Sequence, residues 1–206
     1  MDFRTLSFVA IAGLLYGLLH QYYTHGIDDE VLRKSLYPTV IGQPAVKVIN
    51  AMTPERRAKS SDNKISSRKA VLNIVRGCDG SGVWFMLLAA VFAFGVTQSN
   101  SIAASNARFR DMSEELGSLP RSILAFFFAN MARFYEVFVG LALGTVVVYL
   151  VNQIRIVGLF YLVEWDRTLF PVVHTYFAPT LIILIIAGFF LWWTQWAMLR
   201  WQKKEP

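Results

Sequence analysis

The chain has 206 residues, of which 55% are apolar or aromatic and only 17% carry a charge. Soluble domains carry about 25% charged residues, so this composition favours a membrane protein over a soluble globule. The formal net charge of +6 would suggest nucleic acid in a soluble protein, but here the basic residues lie mostly between or beside apolar stretches. We therefore expect contacts with membrane lipids through their anionic headgroups, and no nucleic-acid partner.

Four stretches are long, apolar and almost free of charge, and they cover roughly residues 3–23, 83–96, 136–151 and 175–199. Backbone polar groups inside lipid must be satisfied within the segment, so each stretch is predicted to be helical. The first could pass for a signal peptide, but no small-residue cleavage pattern follows it, and we interpret it as a membrane anchor. The sequence thus predicts one all-α polytopic membrane domain over residues 1–206, with about four transmembrane helices plus interfacial segments.

Two polar connections separate these stretches. Residues 24–77 contain turn signals and a basic run from Arg56 to Lys69, which we expect to be a solvated surface, and residues 70–75 are typical of a short extended or interfacial stretch. Residues 98–132 end in an apolar segment, 122–132, which would rise only about 16 Å as a helix. Because a bilayer core is about 30 Å thick, we interpret this segment as an interfacial helix or the bent start of the next helix.

Cys78 is the only cysteine and lies in Gly77-Cys78-Asp79-Gly80, just ahead of a predicted helix. Backbone N–H groups at a helix start favour a thiolate and lower its pKa, whereas the Asp79 carboxylate opposes this, unless it or Ser81 caps the helix. Glycine permits close approach of a substrate backbone, which makes Gly77 and Gly80 candidate substrate-binding residues. With one cysteine and three histidines we expect neither a metal nor another cofactor, and an inert buried cysteine is the alternative to a nucleophile.

Arg155 and His174 are the other candidate catalytic residues. Arg155 follows Asn152 by three positions, so both side chains share one helix face, and we take Asn152 as a further candidate for substrate binding. The guanidinium could stabilise a thiolate or an oxyanion, or it could simply reach the lipid headgroups. His174 could take a proton from a thiol and return it to a leaving amine, and His20 and His25 are rivals outside any comparable motif.

The order of the apolar stretches has a topological consequence. If there are four crossings and residues 122–132 do not cross, then Cys78, Arg155 and His174 all lie at the same membrane face. This conclusion does not depend on which face is outside. Counting basic residues leaves the orientation open, because the long 24–77 segment carries many of them while the short C-terminal tail is also basic.

Three pieces of the sequence together resemble the exosortase/archaeosortase family. They are the run from Val75 to Gly80 before an apolar helix, the Asn-x-x-Arg-Ile box at 152–156, and His174 nineteen residues after Arg155. The resemblance covers roughly residues 70–195 and is closest to the short single-domain subtype with a Cys-Asp-Gly motif. Many members have Ser or Ala after the cysteine, where this chain has Asp79.

The resemblance implies a membrane-embedded transpeptidase in the bacterial inner membrane, with its active site at the outer, periplasmic face. Cys78 would be the nucleophile, assisted by Arg155 and His174. The partners implied are exported proteins that end in a short motif, a transmembrane helix and a basic tail, which are processed through a thioester acyl-enzyme. In this orientation the N-terminus lies inside, residues 24–77 are periplasmic and residues 98–132 are cytoplasmic.

Two other functions remain as hypotheses. The chain could be a non-enzymatic assembly or scaffold subunit of a surface-export system, in which case Cys78 would be replaceable. A transporter is disfavoured, because the four apolar stretches carry no charged residue near their centres.

Overall fold

The computed structural model describes the backbone of residues 3–113 and 119–203, and the side chains of residues 4–97 and 135–201. The described chain is mainly helical, which agrees with the predicted class of all-α membrane protein. It divides into two compact units, one formed by Met1–Gly17, Met86–Gly144 and Gly188–Pro206, the other by Leu18–Phe85 and Thr145–Ala187.

The elements follow one another with few irregular residues. The helices are α1 (Phe3–Gln21), α2 (Asp29–Val31), α3 (Gln43–Met52), α4 (Ser81–Ser113), α5 (Leu119–Trp165), α6 (Phe170–Val172) and α7 (Ala178–Lys203). Wider π-helical turns cover Tyr22–Gly26, Leu32–Gly42 and Val173–Phe177, and a single 3-10 turn covers Pro54–Arg56. The strands are β1 (Lys59–Ser61), β2 (Lys64–Ser66) and β3 (Val71–Asn73).

Three described helices are long and apolar enough to cross a membrane: Arg4–Gly26, Tyr135–Trp165 and Phe170–Trp201. They contain the first, third and fourth predicted stretches. The third was expected to end near residue 151, but α5 continues to Trp165. The reason is that Asn152 and Gln153, which suggested a helix end, are buried, and Gln153 Nε2 donates to the Val40 carbonyl at 3.3 Å.

The second predicted stretch lies in α4, whose described apolar part is the shorter segment Ser81–Thr97. The connection predicted at residues 98–132 is helical in its described backbone, because α4 extends to Ser113 and α5 starts at Leu119. Residues 122–132 therefore belong to the first turns of α5. Their side chains, and with them the predicted interfacial position, lie outside the described residues.

A small antiparallel sheet, with strand order β1-β2-β3, was not predicted within the basic run. Ile65 pairs with Ser60 on one side and with Leu72 on the other, and Ile65 and Leu72 are both buried. The short extended stretch predicted at residues 70–75 contains β3 and is confirmed. The sheet matters for function because β3 leads directly into the loop that carries Cys78.

Within the same unit, the helical segment from Asp29 to Met52 packs along α5. Besides the bond from Gln153, the hydroxyl of Thr53 lies 2.7 Å from that of Tyr161. Just beyond α3, Arg56 forms an ion pair with Glu164. These contacts hold residues 152–164 of α5 against the segment that precedes the sheet.

The other unit is built around an aromatic cluster. The Trp193 ring is fully buried, packs edge-on against Phe94 at 5.5 Å, and its Nε1 donates to the Glu136 carbonyl at 3.3 Å. Gly140 lies directly against the same ring, so a larger residue there would displace it.

Candidate active site

The loop between β3 and α4 presents Cys78 on a tight turn. The Cys78 N–H donates to the Val75 carbonyl at 2.9 Å, and the flanking Gly77 and Gly80 have φ of +86° and +82°. Residues with a side chain rarely adopt such φ values, so the two glycines allow the chain to turn on both sides of the cysteine. Helix α4 then starts at Ser81.

The three predicted catalytic side chains lie together in one unit. The distance from Cys78 Sγ to His174 Nε2 is 3.2 Å, and that to Nδ1 is 3.9 Å. Arg155 Nη2 lies 3.9 Å from the same sulfur. A thiol, an imidazole and a guanidinium thus meet at one point, and a thiol beside a base is an arrangement that can support nucleophilic chemistry.

The thiol does not have the lowered pKa that the sequence suggested. Cys78 is buried, and burial is the largest influence on the thiol and raises its pKa. The neighbouring Arg155 guanidinium acts in the opposite direction, whereas the charge of Asp79 adds to the increase. Because burial has the largest effect, the neutral thiol is favoured, and His174 Nε2 is the nearby group positioned to accept its proton.

The His174 ring is held by an aromatic neighbour that sequence reasoning missed. His174 lies in the π-helical turn after α6, and its ring stacks on that of Phe170, with ring centres 5.1 Å apart and planes inclined by only 9°. The spacing of four residues, which places two side chains on the same helix face, was the available signal. Stacking limits the rotation of the imidazole and so keeps Nε2 directed at the sulfur.

The predicted substrate-binding residues fall in two different environments. Asn152 is only 4% exposed and lies against Gly80, where a Cβ atom would come within 3.1 Å of Asn152 Cγ. Its Oδ1 has no hydrogen-bond partner among the described residues. By contrast, the space around Gly77 is open. The contact between Asn152 and Gly80 therefore supports the loop. Of the predicted substrate-binding residues, Gly77 is the one with room beside it for another polypeptide chain.

The rival histidines do not take part in this arrangement. His20 and His25 are both exposed, and among the described residues His174 is the imidazole hydrogen-bonded to Cys78 Sγ. Across the residues that the structure describes, no group of three or more His, Cys, Asp or Glu side chains is placed to hold a metal ion.

Asp79 takes part in a hydrogen-bond network that was not predicted from the sequence. Its Oδ1 accepts the Ser81 N–H at 3.1 Å and the Ser81 hydroxyl at 2.8 Å, so Asp79 does cap α4. Its Oδ2 accepts the Tyr23 hydroxyl, and the Tyr37 hydroxyl lies 3.5 Å from the same oxygen. The cap therefore also ties the cysteine loop to the end of the first span and to the segment after it.

Arg76 forms a second tie between the same parts of the chain. Its Nε donates to Asp29 Oδ1 at 2.8 Å, and its two terminal nitrogens donate to the carbonyls of Tyr23 and Ile27. The guanidinium also lies over the Tyr23 ring, 5.1 Å from its centre. Cys78 thus lies between two anchored residues, Arg76 two positions before it and Asp79 directly after it.

Comparisons of the chain with protein-family models, with curated proteins and with solved structures gave no match. The resemblance to the exosortase/archaeosortase family therefore remains an expectation from the motifs.

Proposed function

We propose that the chain is a membrane-embedded cysteine protease/transpeptidase of the exosortase type, which processes C-terminal sorting signals of exported proteins. The observation that carries this proposal is the 3.2 Å contact between Cys78 Sγ and His174 Nε2, with the Arg155 guanidinium 3.9 Å from the same sulfur. A packing cysteine has no need of a base and a cation directed at its sulfur, whereas an acyl-transfer nucleophile uses both.

The first chemical step is the attack of the thiol. His174 Nε2 removes the S–H proton as the sulfur bonds to the carbonyl carbon of the scissile peptide, and the carbonyl π electrons move to its oxygen. The positive charge of Arg155 stabilises the resulting oxyanion. Preorganised charges of this kind contribute about 10²- to 10³-fold to the rate in acyl-transfer enzymes.

The second step breaks the peptide bond. The oxyanion collapses, the C–N bond breaks, and the imidazolium of His174 gives its proton to the departing amine. The product remains attached to Cys78 as a thioester. A second nucleophile, either an amine or water, then loses its proton to His174 and attacks the thioester carbonyl. The C–S bond breaks, and the departing sulfur regains a proton from the imidazolium of His174.

The proposed location is the bacterial inner membrane, crossed four times, with the site at the periplasmic face. Helix α4 would be the second crossing, since its described apolar part continues into a helical backbone of 33 residues in all. Residues 24–77 would then lie outside and residues 98–132 inside. A substrate that ends in a transmembrane helix would bring the motif ahead of that helix to the bilayer surface, which is where this site would meet it.

The test uses a reporter fused to the C-terminal motif, helix and basic tail of an exported protein from the same genome. We expect Cys78→Ala to abolish cleavage of the reporter although the variant still inserts in the membrane. Ser61→Ala, an exposed change in β1, is the matched control and should process normally. In the unmodified chain, the reporter should become attached to Cys78 through a thioester that hydroxylamine cleaves.

Unchanged processing in Cys78→Ala would rule out the transpeptidase and favour the assembly or scaffold subunit instead. That alternative also predicts that no thioester forms at Cys78 under any condition.

A further inference from the structure

We propose that Asp79, clasped by Tyr23 and Tyr37, is a positioning residue that holds Cys78 in line with His174 and places a negative charge next to it in the loop. The proposal rests on the proposed function for its catalytic consequence, but the contacts that carry it are independent of any substrate. It assigns an active role to the first span and to the Leu32–Gly42 turn, which would otherwise serve only as an anchor and a surface segment.

The two oxygens of the Asp79 carboxylate face different parts of the structure. Oδ1 accepts both hydrogen bonds from Ser81 at the start of α4, at 3.1 and 2.8 Å. Oδ2 accepts the Tyr23 hydroxyl and lies 3.5 Å from that of Tyr37, and the two hydroxyls are 3.4 Å apart. One short side chain therefore joins three elements at the position next to the nucleophile.

The loop needs such a tie because of its composition. Gly77 and Gly80, which flank Cys78 and Asp79, both have positive φ, and glycine is the residue with the greatest backbone freedom. An untethered loop of this kind would let the sulfur drift. A misplacement of about 1 Å can cost about 100-fold in rate when reacting groups must stay in contact.

The charges around the sulfur give Asp79 its second effect. Arg155 approaches from α5 and His174 from the π-helical turn, while Asp79 directly follows Cys78 in the loop itself. Arg76, on the other side, is engaged by Asp29. Burial has the largest effect on the thiol and raises its pKa; of the charged neighbours, Arg155 favours a thiolate and Asp79 opposes it.

Because Cys78 is the only cysteine, its alkylation by a maleimide can be followed in the intact chain without interference. In Asp79→Asn we expect the midpoint of the pH–rate profile to move to lower pH, and the rate at pH 7 to rise about threefold or more, because a neighbouring negative charge is gone. In Tyr23→Phe the carboxylate loses a donor, its charge acts more strongly on the sulfur, and the midpoint should move to higher pH.

A second donor variant and a control separate this effect from simple damage to the fold. Ser81→Ala removes the hydroxyl bond to Oδ1 but keeps the backbone N–H bond and the charge, so its midpoint should move in the same direction as that of Tyr23→Phe. Tyr22→Phe alters the adjacent tyrosine, which is 67% exposed, and should leave the profile unchanged. The series is repeated in a His174→Gln background, since His174 contacts the same sulfur, and there the shifts should keep their signs.

If Asp79→Asn and Tyr23→Phe fail to shift the profile in opposite directions, the electrostatic role of Asp79 is wrong. If Tyr23→Phe with Tyr37→Phe processes the reporter at the unmodified kcat, the positioning role is wrong, because the loss is expected in kcat with KM unchanged. Maleimide labelling requires no substrate, so the labelling results test the electrostatic role of Asp79 whether or not the chain is a transpeptidase. Unchanged processing in Cys78→Ala would overturn the proposed transpeptidase function but not that electrostatic role.

Discussion

The sulfur of Cys78 lies 3.2 Å from Nε2 of His174, although the two residues are 96 positions apart in the chain. The thiol is buried, and its burial favours the protonated form. The proton therefore has a nearby acceptor, and under the proposed function it would leave the sulfur only as a substrate carbonyl is attacked. A resting thiol of this kind is also protected from oxidation, because the thiolate is the form that oxidants attack.

The raised pKa of the Cys78 thiol leads to a direct prediction for its reactivity. A raised pKa means fewer thiolates at any pH below the midpoint, so the folded chain should react with a maleimide more slowly than the chain unfolded in detergent. We expect the difference to be largest near neutral pH and to disappear as the pH rises above the folded midpoint. Rates measured from pH 6 to about pH 10.5 test this, with the unfolded chain titrating near the ordinary value of about 8.5. A folded midpoint below the unfolded one would contradict the prediction.

Removing the guanidinium from Arg155 should affect both reactivity and catalysis. In Arg155→Gln the cation that favours the thiolate is lost, so the pKa of Cys78 should rise further and reporter cleavage should fall about 100-fold or more. Arg155→Lys keeps a positive charge and should retain part of the activity, since an ammonium is a point charge without the planar fork. The measurements are the maleimide profile and kcat.

Arg33→Gln serves as the control for this change, because Arg33 is exposed in the segment that precedes α3. Its profile and its rate should match those of the unmodified chain. An Arg155→Gln variant with an unaltered maleimide profile would mean that the guanidinium does not influence the sulfur.

Part of this architecture could be predicted from the sequence. Apolar stretches at 3–23, 136–151 and 175–199 were sufficient to locate the three described helices that can span a membrane, because length and composition decide that property. The shared membrane face of Cys78, Arg155 and His174, expected if four stretches cross and residues 122–132 do not, stays a prediction.

Strands β1 and β2 and the end of α5 could not be predicted, for physical reasons. Strands of three residues within a basic run are too short to show an alternating pattern. At Asn152 and Gln153 a polar pair suggested the helix end, yet their burial against neighbouring elements lets α5 continue. Both outcomes depend on tertiary packing, which outweighs local preference.

The site differed from expectation in the same way. A helix start after Cys78 suggested a lowered thiol pKa, but burial, which no local pattern reveals, has the larger effect. The hydrogen bond from Tyr23 to Asp79 joins residues 56 positions apart, and no sequence spacing predicts such a contact. Residue type identified the candidate catalytic groups, whereas the electrostatic environment of Cys78 depends on tertiary packing.

Loosening the His174 ring should lower the rate without removing the base. In Phe170→Leu the stacking surface is lost, and we expect kcat to fall about tenfold while KM stays the same, because the imidazole leaves its productive orientation part of the time. His174→Gln should lose far more, about 100-fold or more, as expected when a general base is removed. Phe177→Leu is the control, since Phe177 is 64% exposed on the same turn. Equal losses in Phe170→Leu and Phe177→Leu would mean that the stack does not position the ring.

The two glycines of the cysteine loop should respond differently to the same substitution. Gly77→Ala meets open space, so it should cost only the strain of a positive φ, about 1–2 kcal/mol. Gly80→Ala adds a clash with Asn152 at 3.1 Å and should lower the thermal stability further. Asn152→Ala removes the clashing atoms, and so should recover part of the loss caused by Gly80→Ala but none of that caused by Gly77→Ala. Thermal unfolding of the six proteins in detergent measures this cycle, and identical behaviour of the two glycines would show that Asn152 does not support the loop.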